Sequence, residues 1–301
     1  MFHPRVRRVK HLDAILRKLS TFKNLNINFQ FQKKAISFEV TLESKKEIHE
    51  SSKVLKSLQI FPAGTIFYFS KILGELSLIF DPLEKKKKNP YLLNIVKKIE
   101  EKLGLEIKHL FWDLGEEIAL GIYPYSEKTG IIPETIFLLE TKHTAPFKDF
   151  LKNLQRVFSN KYPHFQGKWR TIDKHEILTF RILFVDLNIS FIDNFLVFGL
   201  GFPTFQKMLD LSRKGITGSL GQQNSLQKIF SSVKKENSGM AYVEVPALFK
   251  TIERAYKLMN KSRRVEKFKF WFKQFRFLKT IYALEVNNKK ALKSLINIEL
   301  E

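Results

Sequence analysis

Hydrophobic residues fall on every second position between Leu25 and Leu42. Leu25, Ile27, Phe29 and Phe31 alternate with Asn and Gln, and beyond the turn Gln32-Lys33-Lys34 the alternation resumes at Ile36, Phe38, Val40 and Leu42. This period of two predicts a β-hairpin with one apolar face. Leu12, Ile15, Leu16 and Leu19 follow helical spacing instead, so a short amphipathic helix is expected over 11–22. Ser44 followed by Glu47 makes a capping box, predicting a helix to about Leu58 that stops before Pro62. Thr65–Phe69 then reads as a buried strand, Ile72–Phe80 as a short helix or extension, and 81–90 as a polar loop closed by Pro90.

The remaining pattern is a succession of strands with helices between groups. Tyr91–Leu103 is a predicted helix ended by Gly104, and Ile107–Leu114 a short helical stretch. Strands are expected at Ile118–Tyr123, Thr135–Glu140, Lys168–Ile172, Ile177–Phe184, Asn188–Ile192, Phe195–Gly199 and Met240–Val245. Helices are expected at Pro146–Phe158, Pro203–Arg213, Ser225–Val233 and Pro246–Asn260, followed by an aromatic, basic stretch and a final hairpin. Strict β–α alternation is missing. The expected fold class is therefore α+β, mostly antiparallel sheet with interspersed amphipathic helices, in a single unit over 1–301.

The two ends of the chain echo one another. Residues 22–43 and 275–301 both run from an aromatic-basic start through an apolar strand to a Lys-Lys-Ala turn and a strand ending in Leu-Glu. Lys33-Lys34-Ala35 answers Lys289-Lys290-Ala291, and Leu42-Glu43 answers Leu300-Glu301. Such self-similarity suggests an internal pseudo-repeat, with residues 1–43 as the closing helix-hairpin of a preceding repeat echoed by 261–301. Two similar basic hairpins built from residues common in this chain are the simpler alternative.

Composition narrows the function classes. The chain has no Cys, which excludes disulfide scaffolds, thiolate metal sites and cysteine nucleophiles. Lys and Arg number 52 against 30 Asp and Glu, a formal net charge of +22. Residues 246–301 hold 14 basic and 5 acidic side chains, the densest excess. The 29 Phe, with abundant Lys, Ile and Asn, equally fit an AT-rich coding bias that would raise Lys without selection for binding. A basic face raises the local concentration of anionic lipid or nucleic acid. Two places could carry that role. One is the run Lys85, Lys86, Lys87 and Lys88; the other is the segment with Arg263, Arg264, Lys267, Lys269, Trp271, Lys273 and Arg276. On a helix, Phe268, Trp271, Phe272 and Phe275 form one stripe flanked by those cations, as in an interfacial amphipathic segment. A core-facing helix under the last hairpin, its cations reaching to solvent, would have the same pattern.

Catalytic and cofactor motifs are not found. Gly199-Leu-Gly201 follows a strand and precedes a helix, but Thr204 stands where a dinucleotide loop has its third Gly and Pro203 removes a donor. No His pair has metal-ligand spacing, and Glu116-Glu117 and Glu100-Glu101 are adjacent rather than on one helical face. The chain is expected to be non-enzymatic, without cofactor or metal. No apolar segment follows the basic N-terminal residues and no window is long and apolar enough to span a bilayer, so a cytoplasmic location is expected as written.

Several short motifs in order carry a resemblance: Leu58 to Tyr68 around Pro62-Ala63-Gly64-Thr65, Leu114 to Leu120, Glu134 to Lys142, Asp193 to Gly199, Ser219 to Phe230, and Ala241 to Val245. Over about residues 55–250 the chain resembles bacterial domain-of-unknown-function family 3352, uncharacterised envelope-associated proteins. The resemblance implies an envelope location and a protein or envelope partner, and supplies no catalytic residue. The expectation is a non-enzymatic binding or scaffold module. Its alternatives are a binder of anionic membrane, less so of nucleic acid, through the aromatic-basic segment, or a binder of lipid or another apolar ligand.

Overall fold

The computed structural model describes residues 22–44, 53–73, 90–124, 132–162, 166–182, 185–215, 217–223, 226–227, 238–258, 262–288 and 291–301. The elements run β1 Phe22–Gln32, β2 Ala35–Ser44, α1 Ser57–Ile60, β3 Phe67–Ile72, α2 Pro90–Leu103, β4 Leu114–Ile122, β5 Thr135–Thr141 and α3 Ala145–Lys161. They continue with β6 Lys168–Ile172, β7 His175–Ile182, β8 Val185–Ile192, β9 Phe195–Leu200, α4 Phe202–Lys214, β10 Gly239–Glu244, α5 Val245–Leu258, α6 Ser262–Phe275, β11 Leu278–Asn288 and β12 Ala291–Leu300. All twelve strands join one sheet in the order β1-β2-β12-β11-β10-β3-β4-β5-β9-β8-β7-β6, and every neighbouring pair is antiparallel. Mostly antiparallel sheet with interspersed helices is thus the observed architecture.

Around β4, β5, β9, β8 and β7 the sheet is covered on both faces, because alternate side chains feed two cores. Ala119, Ile136, Leu138, Ile177, Ile192, Phe195 and Val197 point to one core, closed by Leu55, Leu58 and Phe61 and by Phe205, Met208 and Leu209 of α4. Leu178, Phe180, Ile189 and Leu196 point to the other, closed by Leu110 and by Phe147 and Leu151 of α3. Strands buried on both faces need apolar residues at consecutive positions, which explains Ile136 to Leu139 and Phe195 to Phe198. At the other end, α5 packs on β10 and β11 and holds α6.

The terminal hairpins lie side by side. β2 pairs with β12 so that Ala35 faces Glu299, Glu39 faces Leu295 and Glu43 faces Ala291. Ser37 Oγ donates to Asn297 Oδ1 at 2.6 Å, and Lys293 pairs with Glu39 at 2.8 Å across this seam.

Two local expectations are revised. Ser44 is the last residue of β2, opposite Phe22. Of the helix expected to reach Leu58, residues 45–52 lie outside the described residues; at its end the backbone N–H groups of Lys56 and Ser57 donate to the Glu117 carboxylate, and only α1 is helical. The strand expected at Ile118 starts at Leu114. The predicted helix over 11–22, nearly all of Ser225–Val233, most of Ile72–Phe80 and the loop 81–89 lie outside the described residues.

Candidate functional site

Glu117 is the most unusual polar residue of the fold. In β4 it shares a face with Ala119 and Gly121, the buried parity, and it is 2% exposed. A carboxylate in that position costs several kcal/mol unless donors surround it. Four do: Lys56 N–H at 2.8 Å, Ser57 N–H at 3.2 Å, Ser70 Oγ at 2.8 Å and Ser57 Oγ. With Ser57 Oγ donating to Glu117, the hydroxyl of buried Tyr68 donates to Ser57 Oγ at 2.6 Å. Burial raises the Glu117 carboxyl above the usual carboxylate range, its hydrogen bonds opposing the shift. Burial, with the Glu117 charge adding to it, likewise pushes the Tyr68 hydroxyl up.

Beside this network lies a cleft of about 230 Å³, lined among others by Lys53, Lys56, Glu116, Glu140, Lys142 and Asn194. Glu116, next to Glu117 where the β4–β5 register is irregular, pairs with Lys53. Glu140 accepts from Lys56 Nζ at 2.6 Å and from the N–H groups of Glu116 and Glu117 at 3.0 Å each. Burial alone would raise the Glu140 carboxyl, but the Lys56 ammonium and those two N–H groups hold it below the usual range. The cleft's carboxylates are thus committed to pinning the segment 53–60 onto the sheet. A larger hollow of about 510 Å³ opens between the 3-10 helix Lys108–Asp113 and α3, with Glu106, His109 and Asp149 on its wall.

The Gly199-Leu-Gly201 turn also has a structural occupant. Glu134, 1% exposed, places Oε2 at 2.7 Å from the N–H of Thr204 in the first turn of α4, so the chain's own carboxylate sits at the helix end a phosphate would use. A Cβ on Gly199 would lie 2.4 Å from Cδ2 of fully buried Phe205, so this glycine sets the distance between β9 and α4. Two of the seven histidines have clear structural partners. His175 spans the Phe191 carbonyl and Ser212 Oγ, and His143 meets Asp113 at 2.8 Å.

The residues singled out for anionic binding are distributed as follows. Lys85, Lys86, Lys87 and Lys88 lie outside the described residues. Arg263, Arg264, Lys267, Lys269, Trp271 and Lys273 fall on α6, and Arg276 follows it. Lys269 is engaged with Glu253 at 3.9 Å and Glu266 at 3.5 Å, whereas Lys273 and Arg276 are exposed. From the predicted stripe, Phe268 and Phe272 contact Phe249 of α5 with ring centroids at 5.3 and 4.4 Å, and Phe268 also meets Tyr256. α6 therefore packs on α5, while Phe270, Phe275 and Phe277 remain exposed. Among the described residues no helix is long and apolar enough to cross a membrane, and no group of His, Asp and Glu could hold a metal ion.

Sequence reasoning passed over Glu117 and Glu134 as motif letters without roles. The available signal was parity, because a Glu flanked two residues on by Ala119 and Gly121 occupies the position of a core side chain.

The last feature is β1. Among the described residues no strand pairs with its outer edge, and its alternating side chains Leu25, Ile27, Phe29 and Phe31 are 53%, 48%, 57% and 77% exposed. Fold and site together define a single-sheet antiparallel α+β protein with buried carboxylates bonded to backbone N–H groups, Glu134 keeping its Oε1 without a partner among the described residues, and one apolar sheet edge. The chain belongs to the family described as protein of unknown function (DUF3352), whose model matches residues 9–300. No curated protein and no solved structure matches it.

Proposed function

We propose that this protein is a non-enzymatic binding or scaffold module whose docking element is the open β1 edge. The observation that carries the proposal is the contrast between the two ends of the sheet. Natural edge strands are shortened or charged to prevent pairing. The β6 edge follows that rule, with five residues that include exposed Lys168 and Arg170. β1 has eleven residues, FKNLNINFQFQ, with Lys23 as its one charged side chain and no Pro. An extended segment added there would gain main-chain hydrogen bonds from the edge and side-chain contacts from the apolar stripe.

The register at the seam supports a further element of this reading. The β2–β12 pairing sets the start of each strand against the end of the other, as two copies related by a local two-fold axis would. With β1–β2 as the counterpart of β11–β12, the free edge of β1 corresponds to the edge of β11 that β10 occupies. Residues 22–44 then form a counterpart of the β11–β12 hairpin, and the strand received at β1 resembles β10. A labelled peptide of residues 238–246 tests this directly. It should bind the full chain, and Ile27→Lys should weaken that binding at least tenfold while keeping a cooperative urea transition. No binding by this peptide removes a β10-like strand as the occupant, and equal binding by the variant removes β1 as the peptide's site.

A second reading has its own observation, the exposed Phe270, Phe275 and Phe277 beside exposed Lys273 and Arg276. These would place the C-terminal segment on an anionic membrane of the envelope. Liposome flotation and single-stranded nucleic-acid binding, each at two salt concentrations, separate the two readings. Retention on anionic vesicles that Lys273→Glu with Arg276→Glu abolishes would favour the membrane, and no retention at low salt would dismiss it.

A further inference from the structure

We propose that the occupant of the β1 edge is a second copy of this chain, joined by antiparallel β1–β1 pairing into one continuous twenty-four-stranded sheet. The inference rests on the reading of β1 as a docking edge and adds the identity of the partner. Three observations select a second copy.

The first is self-complementarity. A two-fold axis through Ile27 sets Leu25 against Phe29 and Asn26 against Asn28, so apolar meets apolar on one face and amide meets amide on the other. Any axis through a β1 residue preserves that parity, because strand side chains alternate with period two. Asn and Gln pairs across the seam hydrogen-bond without a charge to neutralise.

The second is charge. Each copy carries a formal net charge of +22, which opposes self-association over most of its surface. β1 contributes only Lys23, near one end, so it is the longest low-charge stretch among the outer strands. Homotypic contact is least penalised there, and pairing about Ile27 sets Lys23 opposite Phe31 rather than opposite itself.

The third is closure. A symmetric β1–β1 contact consumes both open edges at once, and the resulting sheet ends on β6 at each side, the edge that is short and charged. Growth stops at two copies. A head-to-tail arrangement using β6 would place Lys168 and Arg170 against the apolar strand and would continue indefinitely.

The experiment is the oligomeric state of the full chain by sedimentation or light scattering over a wide concentration range, at two salt concentrations. The expected mass is twice the 35.4 kDa of one chain, with a larger dimer fraction at high salt because screening weakens the mutual repulsion. Ile27→Lys, at a half-exposed position, should give monomer that keeps the wild-type far-UV spectrum and a cooperative urea transition, and Phe29→Lys should also give monomer, with the edge-to-face contact to Phe38 lost as well. The cysteine-free sequence allows a second readout: Leu25→Cys, Ile27→Cys and Phe29→Cys, made singly and oxidised, should give a cross-linked dimer for the residue at the two-fold axis. A monomer at every concentration, or a dimer that survives both Lys variants and cross-links at none of the three sites, overturns the proposal. If the chain is monomeric and the 238–246 peptide still binds, β1 remains a docking edge for another strand. If both fail, the docking edge falls with the dimer.

Discussion

Glu117 holds its place because donors at the start of α1 and on β3 converge on it, and each donor loses its partner if the carboxylate goes. Glu117→Ala leaves two backbone N–H groups and two hydroxyls in a buried space, and should lower stability by about 3–5 kcal/mol in urea unfolding. Its pH dependence has a definite sign. Because burial raises its folded pKa, the stability it contributes is fully present below the ordinary carboxylate range and is lost as pH rises through the elevated folded value. Glu140, held below the ordinary range, contributes in the opposite direction: its share is present above that range and lost as pH falls through the lowered value. The urea midpoint of wild type minus that of Glu117→Gln should therefore shrink with rising pH, and that of wild type minus Glu140→Gln should shrink with falling pH. A difference that grows with pH for Glu117 would contradict the role of burial. Gly199→Ala drives a Cβ into the Phe205 ring, which is fully enclosed, and should cost about 1–3 kcal/mol in the same measurement. None of these residues declared its role in the sequence. Glu117 and Glu134 differ from surface glutamates only in what lies across the fold from them, Ser57 and Ser70 in one case and α4 in the other.

At the scale of elements, the hydrophobic pattern was a good guide wherever the period was clean. The hairpin β1–β2, the strands from β6 to β9 and the helices α3 to α5 stand within a few residues of their predicted bounds. The pattern was a poorer guide at 53–58, where helical continuation was expected and bonds from Lys56 and Ser57 to Glu117 take the backbone donors instead. For α6 the stripe was legible but its destination was not, since helical spacing does not say which surface receives it. The receiving surface is α5, through Phe249. Phe249→Ala and Phe272→Ala should each cost about 1–3 kcal/mol, below the fully buried range because both are half-buried, with a coupling near 1 kcal/mol in a double-mutant cycle. Phe270→Ser, at a position 62% exposed, should cost less than Phe272→Ala in the same measurement. Equal losses at 270 and 272 would mean that α6 buries a different face.

At the scale of the molecule, the chain's two ends are joined in the middle of one half of the sheet. Among the described residues β2 has β1 and β12 as its strand neighbours, so the ladder joins β1 and β2 to the remaining strands through β12. The opposite end is sequence-local, since β6, β7, β8 and β9 follow one another by short turns and lie between two packed cores. Strand order of this kind could not be taken from alternation, which specifies a face but not a neighbour; the Lys-Lys-Ala echo was the one hint that the termini belong together. The order predicts unequal stability along the sheet. Ile296→Pro in β12 removes a ladder N–H opposite Phe38 and Ala283 and introduces a ring in an interior strand. In native-state hydrogen exchange, the amides of β1, β2 and β12 should lose protection together by orders of magnitude. The amides of β7, β8 and β9 should keep most of theirs, because their cores contain no residue of β12. Equal loss at both ends would show instead that the twelve strands unfold as a single cooperative unit, with the termini as much a part of its nucleus as the doubly covered strands.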